Sequence, residues 1–105
     1  MNCFNIAGRV VDDPVKSTSS NGLNLARIKV SVDKNNKDGS ANGYEIFEVT
    51  VFRELAEMKI QVGDVIGVTG RLSANNYDKE GKQYYNCQMI GSQVTLLGKW
   101  VKAMP

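Results

Sequence analysis

The sequence predicts an all-β fold: a small closed barrel of five strands, with one short helix between the third and fourth. Three observations carry this. Apolar residues recur at a spacing of two in successive segments, which is the period of a half-buried strand. Turn chemistry rich in Gly, Asn, Asp and Ser separates those segments. The run of helix formers Glu54-Leu55-Ala56-Glu57-Met58 has room for only one or two turns before Gly63.

The opening segment Cys3-Phe4-Asn5-Ile6-Ala7-Gly8-Arg9-Val10 places Phe4, Ile6 and Val10 on one face. Val11-Asp12-Asp13-Pro14 is a turn, because Pro14 lacks a backbone donor and biases Asp13 away from helix. A polar stretch over residues 16–22 follows. In Leu25-Ala26-Arg27-Ile28-Lys29-Val30-Ser31-Val32, Ile28, Val30 and Val32 point to the core while Arg27, Lys29 and Ser31 point to water. Residues 35–43 have little to bury and read as a mobile hairpin loop. The third strand, residues 44–52, has two substantial faces. Phe47, Val49 and Val51 share one, and Tyr44, Ile46, Glu48, Thr50 and Phe52 share the other.

After the short helix, a fourth strand carries Ile66, Val68 and Leu72 at even spacing, with Gly70 between them as a place for a bulge or bend. Asp78-Lys79-Glu80-Gly81 is a hairpin tip. The last strand system spans about 83–97, with an interruption near Gly91-Ser92, and contributes Val94 and Leu96. Five strands with a short helix after the third match an oligonucleotide-binding barrel better than a two-sheet sandwich. Residues 1–98 form the single domain, and 99–105 a short carboxyl-terminal tail.

A chain of 105 residues has room for one domain of this kind. Thirteen Lys plus Arg against eleven Asp plus Glu leave +2, too little to imply a nucleic-acid partner without regard to placement. No run of eighteen apolar residues is present and the first residues lack a basic leader, so a cytoplasmic protein without membrane attachment is expected. Two cysteines, Cys3 and Cys87, are too few for a disulfide framework and read as reduced structural thiols. With no histidine there is no imidazole metal site or histidine-based triad. Asp12 and Asp13 beside a proline turn serve capping and solubility. No catalytic residue, metal or cofactor is therefore expected.

Barrels of this class bind by stacking bases on aromatic rings and neutralising phosphates with a basic groove. Phe52 is the leading stacking candidate, because its parity opposes Phe47, Val49 and Val51; a second core face or a subunit contact is the competing role. Tyr77, near a hairpin tip with little local core, is the second candidate against ordinary loop packing. Tyr84 and Tyr85 have opposite parities, so at most one of them faces the groove while its neighbour enters the barrel, and the sequence does not decide which; Tyr84 is the groove candidate. Arg27 and Lys29 on the wet side of the second strand are phosphate candidates, although charge on a solvated face is also ordinary. Arg9, Lys34, Arg53, Arg71, Lys79 and Lys82 extend the electrostatic path, with Arg71 favoured by its place near the aromatic hairpin. Lys99 and Lys102 are weaker candidates near a terminus.

The combination of Gly8-Arg9-Val10-Val11-Asp12-Asp13-Pro14, Leu25-Ala26-Arg27-Ile28-Lys29-Val30, Phe47-Glu48-Val49-Thr50-Val51-Phe52-Arg53-Glu54-Leu55, Gly63-Asp64-Val65-Ile66-Gly67-Val68-Thr69-Gly70-Arg71-Leu72 and Tyr77-Asp78-Lys79-Glu80-Gly81-Lys82 resembles the bacterial and phage single-stranded DNA-binding protein family. The resemblance covers nearly the whole chain. It implies non-specific binding and protection of single-stranded DNA in replication, recombination or repair, with stacking roles for Phe52 and Tyr77. Two further aromatic positions of the family fall here on Ile46 and near Asn36, and the helix after Leu55 is shorter than usual. Family members often end in an acidic-hydrophobic tip that recruits replication and repair proteins, whereas this sequence ends Lys99-Trp100-Val101-Lys102-Ala103-Met104-Pro105. The resemblance therefore carries no recruitment role, and leaves open a tail-less form, as in phage-like relatives in a host cytoplasm, or the folded part of a longer protein. A primosome-like adaptor acting through protein partners is the alternative function. A homo-oligomer is expected, dimer or tetramer, with the open edge of the opening strand and its Asn5 and Ala7 as candidate contacts; the resemblance adds Phe47 near a subunit contact, with intramolecular core packing as its competing role.

Overall fold

The computed structural model describes residues 1–35 and 41–99. It contains β1 (Phe4–Val10), β2 (Val15–Thr18), β3 (Asn24–Asn35), β4 (Ala41–Phe52), β5 (Asp64–Lys79) and β6 (Lys82–Lys99), with a 3-10 helical turn Arg53–Glu57 between β4 and β5. The strands follow the order β1-β5-β6-β4-β3-β2, and a β1–β3 pairing closes five of them into a barrel. All neighbours are antiparallel except β4 and β6. The fold is the expected five-stranded oligonucleotide-binding barrel, with β2 added at the edge of β3.

β2 occupies the stretch read as a polar connection. All four of its residues are exposed, so it has no inward face and no alternation to betray it. Its backbone ladder to β3, from Val15 opposite Arg27 to Thr18 opposite Asn24, holds it. The expected helix is only a five-residue 3-10 turn, too short for the cooperative bonding of an α-helix. It nevertheless plugs one end of the barrel, with Ala56 buried and Leu55 packed on the core. The loop expected over 35–43 is narrower, because Asn35 already pairs with Ala41; residues 36–40 lie outside the described residues.

The core is the period-two set Val10, Ile28, Val30, Val49, Val51, Ile66 and Val68, all within 1 % of full burial. Removing each from water contributes about 1.5–3 kcal/mol. Two expected core residues are outside it. Leu72 is 41 % exposed, because β1 ends opposite Gly70 and no longer flanks β5 there, and Leu96 is 54 % exposed, because β6 no longer has β4 as a neighbour there. Ser31 departs the other way: it is buried despite its polar parity, since β1 crosses over it at Arg9. Neither cysteine is structural, as Cys3 and Cys87 are both exposed.

Gly70 and Gly91 face each other across β5 and β6, and Ser92 is the extra residue of a bulge, as the pairing steps from Thr69–Gln93 to Gly70–Gly91. A side chain at Gly91 would meet the methyls of Val51, Val68 and Val49 at 2.9, 3.1 and 3.2 Å. Beyond this point the two strands continue as a ribbon from Ser73–Gln88 to Lys79–Lys82, paired, among the described residues, only with each other. The ribbon closes through Glu80 (φ 54°) and Gly81 (φ 78°), the two left-handed residues of a type I′ turn whose twist matches the strands. At the root, the side chain of Asn2 acts as one more rung: its Nδ2–H donates to the Leu72 carbonyl at 2.7 Å, and the Leu72 N–H donates to its Oδ1 at 2.8 Å.

Because Gly91 is enclosed by three valines, Gly91→Ala should destabilise the barrel by about 1–3 kcal/mol through overpacking. Urea unfolding checks this, and an unchanged midpoint would show that the bulge absorbs the methyl group.

Candidate nucleic-acid interface

Residues opposite one another in neighbouring strands send their side chains to the same face, and this assembles the candidate residues. Arg27 lies opposite Thr50, Thr50 pairs with Ile90, and Ile90 lies opposite Arg71. This row runs across β3, β4, β6 and β5 on the outside of the barrel, with a guanidinium at each end. Thr50, 6 % exposed, is its floor. Phe52 is half-buried on the same face, opposite Leu25, so the parity that set it apart from Val49 and Val51 is realised.

The ribbon prolongs this outer face. Tyr77 opposes Tyr84, and Lys79 opposes Lys82, with both pairs on the face of Arg71. The tyrosine rings stack, centroids 5.3 Å apart and planes 14° from parallel, and remain 48 % and 41 % exposed. Neither Tyr84 nor Tyr85 enters the barrel. The ribbon has already left it, so Tyr85 is 73 % exposed on the reverse face, its hydroxyl donating to Gln83 Oε1 at 2.7 Å.

The other candidates are dispersed. Lys34 has the parity of Val30 and Val32, which puts it on the opposite face of β3 from Arg27 and Lys29, and it pairs with Glu45 at 3.7 Å. Arg9 is half-buried on β1, beside β3 and β5. Arg53 is exposed at the start of the 3-10 turn, just after β4, in a left-handed conformation (φ 59°), beside Gly22, Leu23 and Glu57. Lys99 pairs with the buried Asp64 at 3.5 Å, while Lys102 lies outside the described residues. Arg27 pairs with Glu48 at 3.9 Å and Lys29 with Asp12 at 3.7 Å.

Sequence reasoning passed over Tyr44. It is 66 % exposed on the face that carries Phe52, with Ile46 at 50 % beside it. Their shared parity was the available signal. Among the described residues, no group of three or more Cys, Asp and Glu is placed to hold a metal ion. The wall offers exposed rings and cations on a rigid sheet, an arrangement suited to stacking and phosphate contact.

The model of the single-strand binding protein family matches residues 1–97. Single-stranded DNA-binding protein 1 of Staphylococcus aureus is 30% identical over 98 residues, covering 88% of this chain and 62% of that protein. A second protein of that species, single-stranded DNA-binding protein 2, is 29% identical over 98 residues, covering 88% of this chain and 70% of its own length. Single-stranded DNA-binding protein 3 of Clostridium acetobutylicum is 28% identical over 102 residues, with 92% of this chain and 71% of that protein covered. The chain thus spans less than two thirds of the length of the first of these relatives.

Since Tyr77 and Tyr84 stack on one another, they should act on an oligonucleotide as one platform. Each single alanine variant is expected to weaken binding by about 1–3 kcal/mol. The double variant should weaken it by clearly less than the sum, as for other coupled neighbours. Strictly additive effects in titrations of the folded variants would assign the two rings to separate bases.

Proposed function

The chain belongs to the single-strand binding protein family, and on that premise we propose that its outer wall binds single-stranded DNA without sequence preference, in the service of replication, recombination or repair. The observation that carries this reading is the stacked Tyr77–Tyr84 pair held in line with Arg71 on a ribbon that projects from the barrel. A base has a π-face whatever its identity, so rings and cations on a sheet grip a strand without reading it. Phe52 supplies a second stacking surface nearer the barrel, and Tyr44 a third. The act is binding, with no chemistry performed on the strand.

We further propose a homo-oligomer built on β1. That strand pairs with β5 from Phe4 to Arg9, but meets β3 only at Arg9 and Val10. Its remaining edge has no strand partner among the described residues, and an exposed edge of this kind is a template for a second copy. Beside it, Asn5, Ala7, Gly67, Thr69, Thr95 and Leu97 line a shallow depression of about 400 Å³. A dimer is the smallest unit this edge supports, and pairing of two dimers gives a tetramer. Several walls in one particle would raise the apparent affinity for a single strand through local concentration.

Titration of a labelled oligothymidine should give saturable binding that weakens steeply with salt, whereas duplex DNA of the same length should bind far less. An absence of saturable binding near about 50 mM salt would overturn the reading. For assembly, light scattering over a dilution series without DNA should report a mass of at least two chains. A constant mass of 11.6 kDa would rule out a constitutive oligomer.

A further inference from the structure

The outer wall has two halves that differ in charge. On the ribbon half, Arg71, Lys79 and Lys82 share the face of the stacked tyrosines; of the two ribbon carboxylates, Asp78 is paired with Gln83 on the reverse face and Glu80 sits in the turn itself, forming no ion pair with either lysine. Among the described residues, none of these three cations has an ion-pair partner. Lys79 and Lys82 even stand directly opposite each other, an arrangement that is unfavourable until an anion joins it. The barrel half is different. Arg27 lies 3.9 Å from Glu48, Lys29 lies 3.7 Å from Asp12, and Asp33 occupies the same face of β3.

Resting on the single-stranded DNA reading above, we propose that the phosphate path follows the ribbon half, from Arg71 to the Lys79–Lys82 pair, and that Glu48 and Asp12 keep Arg27 and Lys29 out of it. The ion pairs are half-exposed and individually weak, so they do not lock the cations in place. Their effect is on net charge. Glu48 is fixed to the sheet within one rung of Arg27, so a phosphate that captures the guanidinium is left beside a carboxylate. A pair with no net charge collects few counter-anions and condenses little phosphate, whereas three uncompensated cations do both. Spacing fits as well. Tyr77 and Lys79 are two residues apart on one strand, about 6.6 Å, which brings a stacked base and its own phosphate to neighbouring positions.

The test is the log–log salt dependence of oligothymidine binding by the full chain and its variants. Arg71→Ala and the double change Lys79→Ala with Lys82→Ala should each flatten the slope, by about 0.7 for every phosphate no longer neutralised. Arg27→Ala with Lys29→Ala should leave it unchanged. Asp12→Asn with Glu48→Gln should steepen the slope by about 0.7 for each cation released, and adding Arg27→Ala and Lys29→Ala to that background should cancel the increase. None of these positions is buried, so circular dichroism should confirm that every variant keeps its fold. A flattened slope for Arg27→Ala with Lys29→Ala in the otherwise unchanged chain would overturn the partition, as would an unchanged slope after Asp12→Asn with Glu48→Gln. In both cases single-stranded DNA binding itself survives. Loss of saturable binding by the unmodified chain instead removes the functional reading and the partition with it.

Discussion

The ladder between β5 and β6 is the constraint on which the rest of the molecule depends, because the same two strands build one wall of the barrel and then leave it to form the ribbon. Strand residues alternate strictly between faces, so a single extra residue exchanges inside for outside. Val94 faces Val68 in the barrel and Gly91 faces Gly70, yet residues 91 and 94 are three apart. Both can point inward only because Ser92 is set aside in a bulge, where its hydroxyl donates to the Thr69 carbonyl at 3.0 Å. The bulge thereby sets which face of β6 points into the barrel relative to the ribbon, where unbroken pairing from the turn puts Tyr84 opposite Tyr77 and both on the face of Arg71.

Glycine makes the crossing physically possible. At Gly70 a side chain would collide with the Ile90 carbonyl and the Phe4 ring, and at Gly91 with three valine methyls. Here β1, β4, β5 and β6 come close together, as the contacts of Gly70 with Phe4 and Ile90 and of Gly91 with Val49 and Val51 show. The Asn2 amide then ties the root of the ribbon to the amino-terminal segment. A ribbon of two strands alone is marginal in water. Rooting it in a closed barrel, twisting it through a type I′ turn and stacking two rings across it are the devices that give it a defined face.

Stability and surface charge draw on different interactions in this fold. Apolar burial by residues such as Ile28, Val49 and Ile66 holds the barrel, while the exposed ion pairs contribute little to folding, about 0.2–1 kcal/mol each for favourable cases. Yet those same pairs decide how much uncompensated positive charge each part of the wall presents. A formal charge of +2 over the chain conceals an uneven surface, in which the ribbon face is cationic and the β3 face is close to neutral.

The barrel was legible in the sequence because its strands are half-buried and period-two alternation records that directly. Ile28, Val30 and Val32, or Phe47, Val49 and Val51, declare their faces without any tertiary information, and so does Phe52 by opposing them. Glycines and turn residues marked the bulge region and the hairpin tip. β2 was not legible, since a fully exposed edge strand is specified by its neighbour's backbone and not by its own side chains. Nor was the point where β5 and β6 leave the barrel, which decided that Leu72 and Tyr85 face water instead of core. Which cations face one another was equally out of reach. Lys29 and Asp12, or Arg27 and Glu48, are far apart along the chain and meet only through turn and register. Local periodicity fixes the face of a residue, but what stands across from it depends on strand pairing, and pairing is a property of the closed barrel.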